Sequence, residues 1–286
     1  MKTIYKSAEK KKEILALYDS QLSRLEAPWR DMWVETSYGK THLIETGDTS
    51  APALLMFHGG NATTAHTLLA CGFLLKDFHV YAVDMIGHPG KSAETCLPAR
   101  GPAYGKWAAE VIDSLKVEKI RCFGGSFGAG VLVKTMCEAP EKIEKAALYV
   151  PAGLHNAPAV KSIAMLAPML AYWATHQEKW LKKALLPMAV SAEGIDPDTF
   201  ETAKRSIEGA KVKMGMPSNA KAAALRRCTM PVLVMAGEKD CLFPARGVLP
   251  RAKKLLPHCT AYLLKGRGHM NRLTAEEERM IVKFLK

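Results

Sequence analysis

Five short apolar runs, at 53–57, 80–83, 120–123, 146–150 and 232–235, lack the in–out alternation of a half-exposed strand. Mostly apolar runs of four or five residues without that alternation suit strands buried on both faces, as in a parallel sheet sandwiched between helices. The segments between them, at 104–115, 128–138 and 246–256, have helical character. Strand alternating with helix implies an α/β class: a mostly parallel central sheet, flanked by helices and joined by right-handed crossovers. With 286 residues and 48% hydrophobic content the chain can bury a large core, and disorder is excluded on composition.

Two regions depart from this rhythm. Apolar positions Ile14, Leu15, Leu17, Tyr18, Leu22 and Leu25 recur near helical spacing, so residues 8–25 are expected to form an amphipathic helix. After Pro28, segments 33–36 and 42–45 with Gly39 between them are expected to pair as a hairpin. Residues 155–224 hold no strand-like run and are broken by Pro158, Pro168, Pro187, Pro197 and Pro217, the pattern of a helical excursion between two core strands. The expected division is therefore an N-terminal helical extension (1–28), a core (29–154 and 225–286) and a helical cap (155–224).

Gly124-Gly125-Ser126-Phe127-Gly128 follows the run at 119–123 and opens a helical segment. A serine that exposes its hydroxyl at the top of a sheet needs a tight strand-to-helix turn, and glycines two residues to either side avoid collisions there. At ordinary Gly and Ser frequencies a chain this long carries about 0.1 accidental G-x-S-x-G, so the strand-then-helix context carries the argument. A phosphate loop is excluded, because no Gly-Lys-Ser/Thr follows.

Serine is a poor nucleophile near neutral pH and needs a base. Of nine histidines, His269 in Lys265-Gly266-Arg267-Gly268-His269 follows the strand-like 261–264 and belongs at a strand's carboxyl end. Asp240, in Gly237-Glu238-Lys239-Asp240 after the run at 231–236, can accept the imidazole's other N–H; Glu238 is its neighbouring rival. Acyl transfer also needs two N–H donors aimed at the developing oxyanion. The expected pair is Phe127 and, from His58-Gly59-Gly60-Asn61, Gly60, with Asn61 as the nearest alternative. His58 itself is expected to pack and hydrogen-bond beneath the loop.

The order Ser, Asp, His is that of α/β-hydrolases. The HGG, GGSFG, GEKD and GRGH segments, with Asp84-Met85-Ile86-Gly87-His88-Pro89-Gly90-Lys91-Ser92, resemble that superfamily from about residue 30 onward, and most nearly its carboxylesterase-like branch of bacterial hydrolases with a helical cap. The resemblance implies an α/β-hydrolase fold, Ser126, Asp240 and His269 as triad, Gly60 and Phe127 as oxyanion donors, and cleavage of a small carboxylic ester without metal or organic cofactor. Thioester, amide, lactone, carbon–carbon bond or perhydrolase chemistry fits the same residues, as does a ligand-binding relative without catalysis. Two departures stand out. One extra residue separates Gly87 from Gly90, where the family reads D-x-x-G-x-G-x-S. Arg267 stands where a small residue is common, as a solvated side chain or as positive charge near the entrance. Cap residues Met165, Met169, Trp173, Trp180, Met188, Met214 and Met216 are candidates for an apolar pocket or for plain packing.

The net charge of +12 is spread over separate clusters without interleaved aromatics, which reads as solvated surface with no nucleic-acid partner. An anionic substrate or partner is the other reading. The lysine-rich start holds no signal-peptide core, no run reaches membrane-spanning length, and the seven cysteines are scattered without metal-site spacing. Together these point to a reducing, cytoplasmic setting. A homo-oligomer is compatible with the sequence and not specified by it.

Overall fold

The computed structural model describes residues 3–158, 160, 163–211 and 215–286. Among these residues the strands are β1 (Trp29–Val34), β2 (Thr41–Gly47), β3 (Ala53–Phe57), β4 (His79–Val83), β5 (Ile120–Gly125), β6 (Ile143–Tyr149), β7 (Val232–Gly237) and β8 (Cys259–Leu264). They form one sheet in the order β1-β2-β4-β3-β5-β6-β7-β8. The first two strands pair antiparallel with each other, and β2 pairs antiparallel with β4. All later pairings are parallel.

The helices are α1 (Ala8–Leu22), α2 (Thr64–Ala70), α3 (Ala103–Ser114), α4 (Phe127–Glu138), α5 (Ile163–Thr175), α6 (Glu178–Ala189), α7 (Pro197–Gly209), α8 (Ala222–Leu225), α9 (Ala245–Leu255) and α10 (Ala275–Leu285). The core lies in two layers, one on each face of the sheet. Leu55 and Phe57 of β3 pack with Trp107 of α3, Leu132 of α4 and Val248 of α9. Leu54 and Met56 point the other way, toward Tyr18 of α1, Leu68 of α2 and Ile281 of α10. Successive residues of β3 thus enter opposite cores, which is why its sequence is apolar without alternation.

Element edges differ from expectation where burial gives no signal. β1 begins at Trp29, four residues before the expected run, and its outward residues are mostly exposed, as suits an edge strand. β5 runs on through Gly124 and Gly125, because backbone pairing, indifferent to side chains, continues to its neighbours β3 and β6. α2 and α10 are additional to the helices expected from the sequence. Yet α10 carries a legible start: Thr274 and Glu277 form a capping box. Between β6 and β7 the described residues form α5 to α8 and no strand of the sheet. A small apolar cluster of Tyr172, Leu181, Leu185 and Phe200 holds α5, α6 and α7 together.

Candidate active site

Ser126 occupies the turn between β5 and α4 at φ +53°, ψ −117°. A non-glycine residue there carries strain of about 1–3 kcal/mol, which persists only where surroundings over-determine it. Here the Ser126 N–H donates to Tyr149 O at 2.9 Å, and its carbonyl accepts from Gly130 at 3.1 Å and Ala152 at 3.2 Å. Both flanking glycines are required, for different reasons. A side chain on Gly124 would come within 2.8 Å of Ala129 N in the following helix. One on Gly128 would come within 2.4 Å of His58 O, the loop after β3. The second glycine therefore admits the neighbouring loop, in addition to relieving the turn itself.

Ser126 Oγ lies 2.7 Å from His269 Nε2, and His269 Nδ1 lies 2.8 Å from Asp240 Oδ2. With an ionised carboxylate as the only acceptor-type partner at Nδ1, the proton resides on Nδ1 and Nε2 offers a lone pair to the serine hydroxyl. The remaining Asp240 oxygen accepts from the N–H groups of Leu242 at 2.8 Å and Phe243 at 2.9 Å. Burial pushes the Asp240 carboxyl up. The adjoining His269 and those two backbone donors outweigh it, so its pKa lies below the ordinary carboxylate value. Glu238, the rival acid, instead accepts from Gly266 N–H at 2.8 Å at the surface. Phe243 stands edge-on to the imidazole at 5.3 Å between ring centres.

Among the described residues the backbone N–H groups of Gly60, Asn61 and Phe127 donate to no backbone carbonyl. Gly60 and Phe127 adjoin, since a side-chain carbon on Gly60 would lie 3.5 Å from Phe127 Cβ. His58 is buried, with Nδ1 2.8 Å from Gly59 O and Nε2 accepting from Met85 N–H at 3.1 Å, as expected for a packing role. Burial holds its pKa below the ordinary imidazole value. His88 is buried with its ring centre 4.7 Å from that of Phe127.

The irregular loop after β4 is anchored from below. The buried Asp84 carboxylate accepts from Lys91 N–H at 2.8 Å and Tyr18 Oη at 3.2 Å, and lies 2.8 Å from His42 Nδ1. A side chain on Gly90 would come within 2.7 Å of that carboxylate. The extra residue is thus absorbed without loosening the loop. Arg267 takes neither expected course: it folds back to pair with the buried Glu277 carboxylate and with Arg272 O.

Ser126, Phe127, Gly60 and His269 open into a cavity of about 700 Å³. Met165, Met169, Met188 and Met216 line it, whereas Trp173 and Trp180 do not; Met214 lies outside the described residues. Among the described residues no group of three or more His, Cys, Asp or Glu is placed to hold a metal ion, and no helix is long and apolar enough to cross a membrane.

Comparison with known proteins agrees with this architecture. The carboxylesterase YbfK of Bacillus subtilis (strain 168) is 28% identical over 278 residues, spanning 94% of this chain and 92% of its own. The same bacterium's nap, described as an uncharacterized carboxylesterase, is 24% identical over 261 residues, covering 88% and 85%. The crystal structure of carboxylesterase CesB (YbfK) superposes with a TM-score of 0.81 at 25% identity, covering 97% of this chain and 99% of that one. The profile described as serine aminopeptidase, S33, matches residues 48–271. The chain is therefore a carboxylesterase-like α/β-hydrolase and belongs to the serine aminopeptidase S33 family.

Proposed function

We propose that the protein is a carboxylesterase that works through an acyl-enzyme on Ser126, with His269 as base and Asp240 as the acid behind it. The hydrogen-bonded series Ser126 Oγ, His269 Nε2, His269 Nδ1, Asp240 Oδ2 carries this reading, with both links under 3 Å. The serine oxygen attacks the ester carbonyl while its proton passes to Nε2. Negative charge on the carbonyl oxygen is met by the N–H groups of Gly60 and Phe127. Imidazolium then protonates the departing alkoxide, and an alcohol leaves. Water attacks the acyl-enzyme, giving its proton to Nε2, and collapse of the second intermediate returns that proton to Ser126 and releases the carboxylic acid.

Ester chemistry is favoured over amide, thioester, lactone or carbon–carbon cleavage because relatives spanning most of the chain are named carboxylesterases. The methionine-lined cavity supports an apolar acyl or alcohol group. Residues 155–224 act as its cap in this reading. A cytoplasmic setting is part of this reading, since the seven cysteines are scattered without metal-site spacing.

A fluorophosphonate probe is expected to label the protein, and Ser126→Ala to abolish labelling. Hydrolysis of p-nitrophenyl butyrate should fall by roughly 10⁶-fold in the same variant. Labelling that survives the substitution would remove Ser126 from the mechanism. Turnover of aminoacyl p-nitroanilides in place of esters would move the reading to peptidase chemistry.

A further inference from the structure

Helix α5 contains no charged residue along its thirteen positions, IAMLAPMLAYWAT. A helix apolar all round is ordinarily buried. This one is buried on one side only. Met165 and Met169 face the cavity and Tyr172 is fully buried. On the outside, Ile163 is 59%, Leu166 60%, Leu170 64% and Trp173 40% exposed. Their spacing of three, four and three residues makes one continuous stripe along the helix, which isolated surface leucines do not. α5 is therefore a thin partition with the cavity on one side and an apolar outer face on the other.

The charge along the hairpin of α5 and α6 is mostly positive. Residues 156–192 contain four lysines and a single acidic residue, Glu178, and Glu178 is neutralised by Lys204 at 2.7 Å. Lys179, Lys182 and Lys183 project to solvent from the adjoining α6. The Lys6 ammonium sits 4.3 Å from the Trp173 ring centre at the far end of the stripe. The hairpin of α5 and α6 thus carries an apolar face on α5 that ends in tryptophan and three exposed lysines on α6, on a molecule of net charge +12. Apolar side chains that enter the acyl boundary, tryptophan at headgroup depth and lysines over anionic headgroups are the physical requirements of a helix lying in a bilayer interface. A second copy of the chain is the poorer fit, because two faces of the same sign would have to meet.

We infer that the outer face of α5, with the lysines of α6, docks on an anionic lipid surface and holds the cavity against it. The Met216 side chain, both exposed and cavity-lining, marks a point where the cavity reaches the surface. Binding itself needs no chemistry at Ser126, so it stands apart from the esterase reading.

The test is co-sedimentation of the full chain, and of Ser126→Ala, with vesicles of phosphatidylglycerol and phosphatidylcholine or of phosphatidylcholine alone. Both proteins are expected to bind the anionic vesicles and to be released as salt rises. The pair Leu166→Asp and Leu170→Asp should abolish binding while leaving turnover of water-soluble p-nitrophenyl acetate unchanged, which also shows that the variant folds. Lys179→Glu and Lys183→Glu should weaken binding roughly fivefold per lysine. Three results would overturn the proposal. One is no binding to anionic vesicles. Another is binding that survives the aspartates. The third is a dimer by light scattering that the aspartates dissociate, which would assign the stripe to a second copy.

Discussion

Asp240 and Glu238 show how two carboxylates two residues apart acquire different roles. Asp240 is buried, with one oxygen on His269 and the other on two backbone N–H groups. Glu238 stands at the surface and holds Gly266. Asp240→Asn keeps the size, but its one oxygen stays on the Leu242 and Phe243 N–H groups and its NH2 faces Nδ1, imposing the wrong imidazole tautomer, so kcat is expected to fall by about 10⁴-fold. Glu238→Gln should leave kcat within about twofold, since a surface hydrogen bond contributes little. Steady-state kinetics on one nitrophenyl ester decides the matter, and equal effects would reverse the assignment of the acid.

Helix α6 reaches the site through its carboxyl end. Val190 takes φ +69° and ends the helix, leaving the last carbonyls without intrahelical partners. Met188 O accepts from the N–H of His269 at 2.6 Å and of Met270 at 3.0 Å, and Asn271 Nδ2 donates to Ala189 O at 3.1 Å. The position of the imidazole is therefore tied to the position of α6. A side chain on Gly268 would meet Met188 O at 2.4 Å, so Gly268→Ala must separate the loop from the helix. Displacement on the ångström scale is expected to lower kcat by about 10²-fold with a smaller change in KM, and to slow fluorophosphonate labelling in parallel. Unchanged kcat in a folded Gly268→Ala variant would show that the imidazole is held by Asp240 alone.

Across the whole molecule, buried imidazoles set the response to acid. Burial holds His58 and His66 below their ordinary pKa, and burial together with the neighbouring His58 brings His88 down to about 3. Below about pH 6.5 these groups bind protons in the unfolded chain while staying neutral when folded, so the unfolded state gains. Their stabilisation is full above that pH and is lost as pH falls toward 3. The lowered carboxyl of Asp240 adds a loss in the same direction at more acid pH, since its ionised form is favoured by folding. Urea denaturation is expected to show midpoints falling steadily from pH 7 to pH 5, with a shallower fall in His88→Leu. A midpoint that rises on acidification contradicts the buried neutral imidazoles.

The strand–helix alternation, the strained serine turn and the chain order of Ser126, Asp240 and His269 were legible because each is local. A parallel strand buried on both faces must be apolar throughout, and a tight turn must have glycine where backbones crowd. The expectation of Gly60 and Phe127 as oxyanion donors has the same local origin, in the glycine-bearing motifs beside them. Folding alone decided the rest. Whether Arg267 met solvent or Glu277, how an extra residue after Gly87 was absorbed over Asp84, and that α6 would carry His269 all depend on groups far apart in the chain. So does the outer face of α5, whose composition reads as a buried helix until the cavity behind it and the solvent before it are known. Periodicity reports how much apolar surface a segment has, and only the packed neighbours determine which part of that surface stays uncovered.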